Sequence, residues 1–179
     1  MAANQSQWPR DWLMTDERMG ERLWDAIGRV PTETGGIVFR HHSLDPDERA
    51  ELGIKVARLA SERKLALAVS RDPELAERLG AQLLHNPLAP TELPVSRSVH
   101  DEHEALAARE VDIALVFISP VFPTRSHPGA AALGTERAAN LAALAACPAI
   151  ALGGMTFGRF WELGPAFHGW AGIDAWLDG

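Results

Sequence analysis

A single cysteine, Cys147, stands among 179 residues. A disulfide framework is excluded, and Cys147, next to Pro148 in an apolar context, reads as a buried, inert thiol. No uninterrupted apolar stretch approaches the ~20 residues that a membrane-spanning helix needs. The opening "MAANQSQWPRDW" lacks the apolar centre of a secretion signal. Positive charge is also scarce. The formal net charge is −7 and no basic run appears, which removes nucleic acid as an expected partner, because a duplex binder needs a basic face. These absences leave a soluble, cytoplasmic protein of one domain, residues 1–179, long enough to bury a real core.

What the sequence does have is alternation. Trp12 to Thr15 reads as a strand. Arg18 to Arg29 reads as a helix, with Leu23, Ala26, Ile27 and Val30 at helical spacing. "GGIVFR" is strand-like. "DPDERAELGIKVARLASERK" and "DPELAERLG" both open on Asp-Pro, with the aspartate as cap and the proline in the first turn. "LALAV", "AQLLH", "PVSRSVH", "IALVFIS", "AIALGG" and "WAGIDAW" complete eight strand-like runs. Further helices are expected in "DEHEALAARE", from Thr135 to Ala146, and from Phe157 to Leu163. Apolar strands separated by helices mean a parallel sheet under helices, and eight such units point to a compact (β/α)8 TIM barrel of the α/β class. An open doubly wound sheet is the rival. The barrel would be small against the ~250 residues that are typical. Only three residues follow Trp176, so the last helix is expected to be missing. Trp8, Trp12 or a partner subunit, as in a homodimer, would then cover the last strand.

In such a barrel ligands bind where strands deliver their C-terminal ends. Those ends are Thr15-Asp16, Arg40-His41-His42, Ser70-Arg71-Asp72, His85-Asn86, Ser98 to His100, Ser119 to His127, Gly153-Gly154 and Trp176. They are rich in imidazole, guanidinium and hydroxyl groups and poor in carboxylates, so the mouth favours an anion, phosphate above all. Gly153-Gly154 stands between a strand and a helix start, the recurrent phosphate site of this architecture. Arg40 is expected to face inward on the anion. His41 reads as an exposed turn residue, and His85 as a hydrogen-bonded core histidine. Ser98 could serve the ligand or the backbone. Asp72 reads as a helix cap. It is the only weak candidate for a metal ligand, so no metal site is expected from the residues themselves. His100 and His103 would have ligand spacing only on one helical turn, and His100 ends a strand. The tryptophans read as packing or interface anchors.

"WLMTD", "GGIVFR", "ELAERLGAQLLH", "SRSVHDEHEA", "SPVFPTRSHPGAAALG", "PAIALGGM" and "GWAGIDA" run in order along almost the whole chain, and together they resemble the thiamine phosphate synthase and thiazole tautomerase superfamily. The resemblance implies a compact (β/α)8 barrel and a role in thiamine biosynthesis. It implies a transferase that couples an aminopyrimidine diphosphate to a thiazole phosphate, with release of diphosphate and with Mg²⁺ as cofactor. It places Arg40, Ser98 and His127 in catalysis. It places Arg40, His42, Ser70, Arg71, Thr124, Ser126, His127, Gly153 and Gly154 on the phosphorylated substrates. This chain departs from the family pattern at both magnesium aspartates, which fall on Ser70-Arg71 and near Pro90. Two family lysines fall on His42 and His127, which would make anion binding pH-dependent near neutrality. The Ile-Ser pair that closes the family's phosphate site after strand eight falls on Trp176-Leu177. The tautomerase branch carries a histidine where this chain has Pro120. The magnesium site is therefore degraded, and Arg71 would neutralise phosphate directly. Two other readings stay open: a non-catalytic or regulatory binder of a phosphorylated heterocycle, and a thiazole tautomerase-like isomerase using His127 or His100.

Overall fold

The computed structural model describes residues 7–125, 129 and 131–177. Eight parallel strands close into a barrel in chain order: β1 (Asp11–Met14), β2 (Gly35–Phe39), β3 (Ala66–Ser70), β4 (Leu83–His85), β5 (Val95–Val99), β6 (Leu115–Ile118), β7 (Ala149–Ala151) and β8 (Gly169–Gly172). Closure is made by β1 against β8, in the register Asp11↔Trp170 and Trp12↔Ala171. The helices are α1 (Leu23–Arg29), α2 (Pro46–Glu62), α3 (Pro73–Arg78), α4 (Glu102–Glu110), α5 (Gly134–Ala145) and α6 (Phe157–Glu162). The open doubly wound sheet is thereby excluded.

Strand pleating sends alternate side chains to opposite faces. Inside the barrel lie Trp12, Met14, Val38, Ala68, Leu83, Leu115, Phe117, Ile150 and Ala171. Trp12 meets Phe117 edge to face at 5.8 Å. Room for this indole comes from Gly36, where a β-carbon would lie 2.6 Å from the Trp12 ring. The other face of each strand, including Leu13, Ile37, Val69 and Val116, packs under the helices in a second apolar layer. Both Asp-Pro starts form as expected. Asp45 accepts from the amides of Asp47 and Glu48, and Asp72 from that of Leu75.

Three expectations are corrected. The segment Arg18 to Arg29 is not one helix. A 3-10 turn, Glu17–Arg22, precedes α1, because the chain kinks at Gly20 with φ 50° and ψ −133°. Trp12 cannot cover the last strand, since it fills the barrel interior, and Trp8 packs against that same interior cluster. Nor is Trp176 a strand end. The chain leaves β8 at Gly172 and turns through a 3-10 segment, Asp174–Trp176. That turn lays the Trp176 indole flat on Trp170 at 5.0 Å, with its Nε1 donating to the Trp12 carbonyl. No α-helix follows β8 among the described residues. The stacked indole supplies cover there.

Candidate functional site

The C-terminal ends of the strands converge on one rim. From β2, Arg40 reaches back over β1. Its amide donates to Thr15 Oγ1 at 2.9 Å, its Nε to the Thr15 carbonyl at 2.7 Å and its Nη2 to Asp16 Oδ2 at 2.9 Å. The guanidinium is thus fixed in place before any ligand arrives. Burial lowers its pKa and the Asp16 charge opposes that shift, so it remains a cation at neutral pH. His41 corrects the sequence reading. Beyond the end of β2 the chain turns at His41, with φ 43°, and the ring lies on Phe39, stacked at 5.3 Å, buried with Nδ1 paired to Thr15 Oγ1 at 3.0 Å. His42 projects from the rim. Loss of solvent and then the charges of Arg71, Arg49 and Arg40 push its pKa down to about 4. It is neutral at pH 7 without ligand, so the expected titration near neutrality does not belong to His42.

Behind this arc stands Arg49, which the sequence reading missed. It is buried in the first turns of α2 and ties the ends of β2 and β3 to the start of α3. Its Nε donates to the Arg40 carbonyl (2.9 Å), Nη2 to the Ser70 carbonyl (2.8 Å) and Nη1 to Asp72 Oδ2 (3.1 Å). Asp72 is therefore engaged twice, as the α3 cap and as the partner of Arg49. Ser70 is buried, and Arg71, at φ 73°, turns the chain outward with its amide on the His85 carbonyl. Among the described residues, no group of three or more His, Cys, Asp or Glu side chains could hold a metal ion.

On the next two strands His85, Asn86, Ser96 and Ser98 form one network. Asn86 Oδ1 accepts from the Ser98 amide at 2.9 Å, which makes its Nδ2 the donor to Ser98 Oγ at 3.0 Å and to His85 Nε2 at 3.2 Å. The proton of a neutral His85 then sits on Nδ1 and is given to Ser96 Oγ at 3.1 Å. Burial, with the surrounding cations, pushes the His85 pKa down to about 3. The unfolded chain takes up a proton near pH 6.5 that the folded chain refuses, so folding stability falls as pH drops below that value. Wild type is expected to lose roughly 1 kcal/mol more per pH unit than His85→Gln between about pH 6 and pH 4. Urea midpoints measured at several pH values for both proteins check this. Parallel curves would remove His85 from the account.

The remaining wall is built by the loops after β6, β7 and β8. The Val121 amide donates to the Leu152 carbonyl (2.9 Å) and the Phe122 amide to the Gly153 carbonyl (3.0 Å), so two loops are zipped side by side. Among the described residues neither the Gly153 nor the Gly154 amide has a hydrogen-bond partner. Arg159 sits over the Phe122 ring at 4.7 Å and donates to the Gly154 carbonyl. A cavity of about 250 Å³ opens here, lined by Arg40, His100, Ser119, Thr124, Gly153, Gly154 and Asp174 among others. Of the expected ligand residues, Arg40, Thr124, Gly153 and Gly154 share this cavity. His42 instead faces a neighbouring hollow with Arg49 and Asp72. Ser98 belongs to the His85 network, and Ser126 and His127 lie outside the described residues. The position after β8 is taken by Ile173 and Asp174 rather than Trp176-Leu177, because β8 ends four residues before Trp176. Asp174 and its partner Arg125 were not foreseen. They pair at 3.2 Å from loops far apart in the chain.

The sequence profile of the thiamine monophosphate synthase family matches residues 15–173. A thiamine-phosphate synthase of Chromobacterium violaceum is 32% identical over 68% of this chain and 64% of its own length. A putative thiamine-phosphate synthase 2 of Aquifex aeolicus is 25% identical over 95% of this chain and 98% of its own. The chain spans 27, 64 and 58% of the length of three curated relatives. In structure, a thiamine phosphate pyrophosphorylase from Pyrococcus furiosus superposes with a TM-score of 0.80 at 19% identity, over 95% of this chain and 88% of that one. This last likeness concerns the fold.

Proposed function

The chain belongs to the thiamine monophosphate synthase family, and from that membership we propose that it joins an aminopyrimidine diphosphate to a thiazole phosphate. The observation that carries the reading is the meeting of Arg40 from β2, Thr124 from the β6 loop and Gly153-Gly154 from the β7 loop in one cavity at the barrel mouth. In the proposed reaction the bond from the pyrimidine methylene carbon to the diphosphate oxygen breaks, diphosphate leaves with the electron pair, and the thiazole nitrogen forms the new bond to carbon. The protein's part is grip and orientation. Arg40, His42, Ser70 and Arg71 form the arc for the diphosphate. Thr124 and the open glycine amides receive the thiazole phosphate, and Ser126 and His127, which lie outside the described residues, are assigned to the same ligand. Ser98 and His127 are the further groups assigned to the reaction, beside Arg40.

The family is generally Mg²⁺-dependent. The described residues of this chain do not fit such an ion, because Asp72 caps α3 and pairs with Arg49 while Arg71 stands where a carboxylate is needed. Guanidinium groups take the diphosphate charge instead.

The test is direct. Purified protein is given both substrates, with and without Mg²⁺, and thiamine phosphate is followed. Product that forms equally without metal is the expected result, and no product above background would remove the synthase reading. The missing carboxylates favour a second reading, a regulatory binder of the same phosphorylated heterocycles; binding without turnover would select it. Product-free interconversion of thiazole isomers would select the tautomerase-like reading, for which His100 is the one imidazole in the cavity among the described residues. No helix of the described residues is long and apolar enough to cross a membrane, and we place the protein in the cytoplasm, as a homodimer or monomer.

A further inference from the structure

Charges alternate around one side of the rim. Arg40 holds Asp16 at 2.9 Å, Asp16 holds Arg18 at 2.8 Å, Arg18 approaches Asp174 at 3.9 Å, and Asp174 pairs with Arg125 at 3.2 Å. Four of these charges need no special account: they are cations suited to an anion, or the carboxylate that fixes two of them. Asp174 is different. It is the only acidic side chain lining the mouth cavity among the described residues, and it shares that cavity with Gly153, Gly154, Thr124 and Arg40. Everything else polar there can donate a hydrogen bond. An ionised carboxylate can only accept. Its Oδ2 is engaged by Arg125, whereas Oδ1 lies at ion-pair but not hydrogen-bond distance from Arg18. A lone pair is thus left for the cavity.

We propose that Asp174 sets the protonation state of the ligand group taken by the cup. Its carboxylate receives a hydrogen bond from a ligand O–H, so the site accepts a protonated oxygen and discriminates against a phosphate dianion. Such an oxygen is the hydroxyl of a heterocyclic alcohol or the P–OH of a phosphate monoanion. This rests on the thiazole side of the proposed function and refines its substrate. A dianion would face a fixed negative charge across a short gap, and the pair would have no proton to share. A monoanion, whose second ionisation lies near ~6, keeps the proton that bridges them. The charged and titratable groups around Asp174 are Asp16 and Arg18 after β1, Arg125 after β6, Arg40 at the end of β2 and His100 across the cavity after β5, with Arg159 of α6 and Asp11 of β1 lining the hollow on its other side.

Calorimetry on the full chain tests this with three probes: the thiazole alcohol, its phosphate ester and its sulfate ester, at about pH 5.5 and about pH 8, either side of the phosphate ionisation. Wild type is expected to bind the phosphate ester roughly tenfold more tightly at the lower pH. The alcohol should bind alike at both, and the sulfate ester, which has no proton to give, should show no such gain. Asp174→Asn, isosteric and partly exposed, should keep the fold, offer a donor, and bind the phosphate ester at about pH 8 roughly tenfold better than wild type. A phosphate ester bound equally at both pH values, with no gain in the variant, would overturn the role of Asp174 and leave the thiazole reading standing. A sulfate ester that tightens in parallel would also overturn it, by assigning the effect to an imidazole. Failure of both proteins to bind alcohol and phosphate ester alike would sink the thiazole reading and this inference with it.

Discussion

Gly153→Ala is expected to lower stability by about 3 kcal/mol, a fall in Tm of roughly 10 °C for a chain of this size, and to abolish binding of a phosphate ligand. Two independent causes act at this position. The residue has φ 93°, a left-handed value that costs an L side chain. A β-carbon there would also lie 2.6 Å from Pro120 Cα and 3.2 Å from the Val121 amide. Both contacts are backbone, so no side chain can swing aside. The loops after β6 and β7 would have to part, and the hydrogen bonds from Val121 and Phe122 that zip them would stretch. Gly154 is held in the same way, at φ 60° with a β-carbon 2.5 Å from the Pro123 carbonyl oxygen. Thermal unfolding and calorimetry with the thiazole phosphate measure both effects. A variant as stable as wild type would show that the two loops are not locked together.

Arg40→Ala is expected to weaken inorganic diphosphate and the pyrimidine diphosphate by roughly 100-fold, since a charge-assisted contact to phosphate is worth about 2–3 kcal/mol. Its Nε and Nη2 are spent on the Thr15 carbonyl and Asp16, and its backbone is held by Thr15 Oγ1. The ligand therefore meets a guanidinium whose conformational freedom was already lost in folding. Arg40→Lys should recover little, because a lysine cannot hold both Thr15 and Asp16 and still present a charge to the cavity. Glu62→Ala, on the exposed end of α2 and paired with Arg58, should leave affinity unchanged. Equal affinity of Arg40→Ala and Glu62→Ala would remove Arg40 from the site.

Which side of each strand faced the barrel axis was less legible. Arg40 could be assigned to the mouth because a polar residue directly after "GGIVF" has to emerge at a strand end. Its neighbour His41 was misread as exposed, because it lies past the end of β2, where strand alternation no longer applies, and a turn at φ 43° lays its ring on Phe39. Trp12 was misread as an outer cover for another reason. Trp12 and Leu13 are both apolar, and only the closed sheet, with Gly36 making room, decides that the indole goes inside. Arg49 was invisible in "DPDERAELG", where it looks like part of a solvated helix face. Two of its three acceptors are backbone carbonyls, and carbonyls leave no mark in a sequence.

Composition and local pattern by themselves determined the α/β class, the count of eight strands, the two Asp-Pro helix starts and the glycine pair at a strand-to-helix turn. Each depends on neighbours along the chain, through periodicity, capping and φ. The tertiary structure alone decided that the sheet closes, that Trp176 lies on Trp170 rather than ending a strand, and that Asp174 stands in the mouth with Arg125 beside it. Those facts follow from barrel curvature and from where β8 stops. They join residues from distant segments whose side chains meet only after closure, and no spacing rule links such partners in advance.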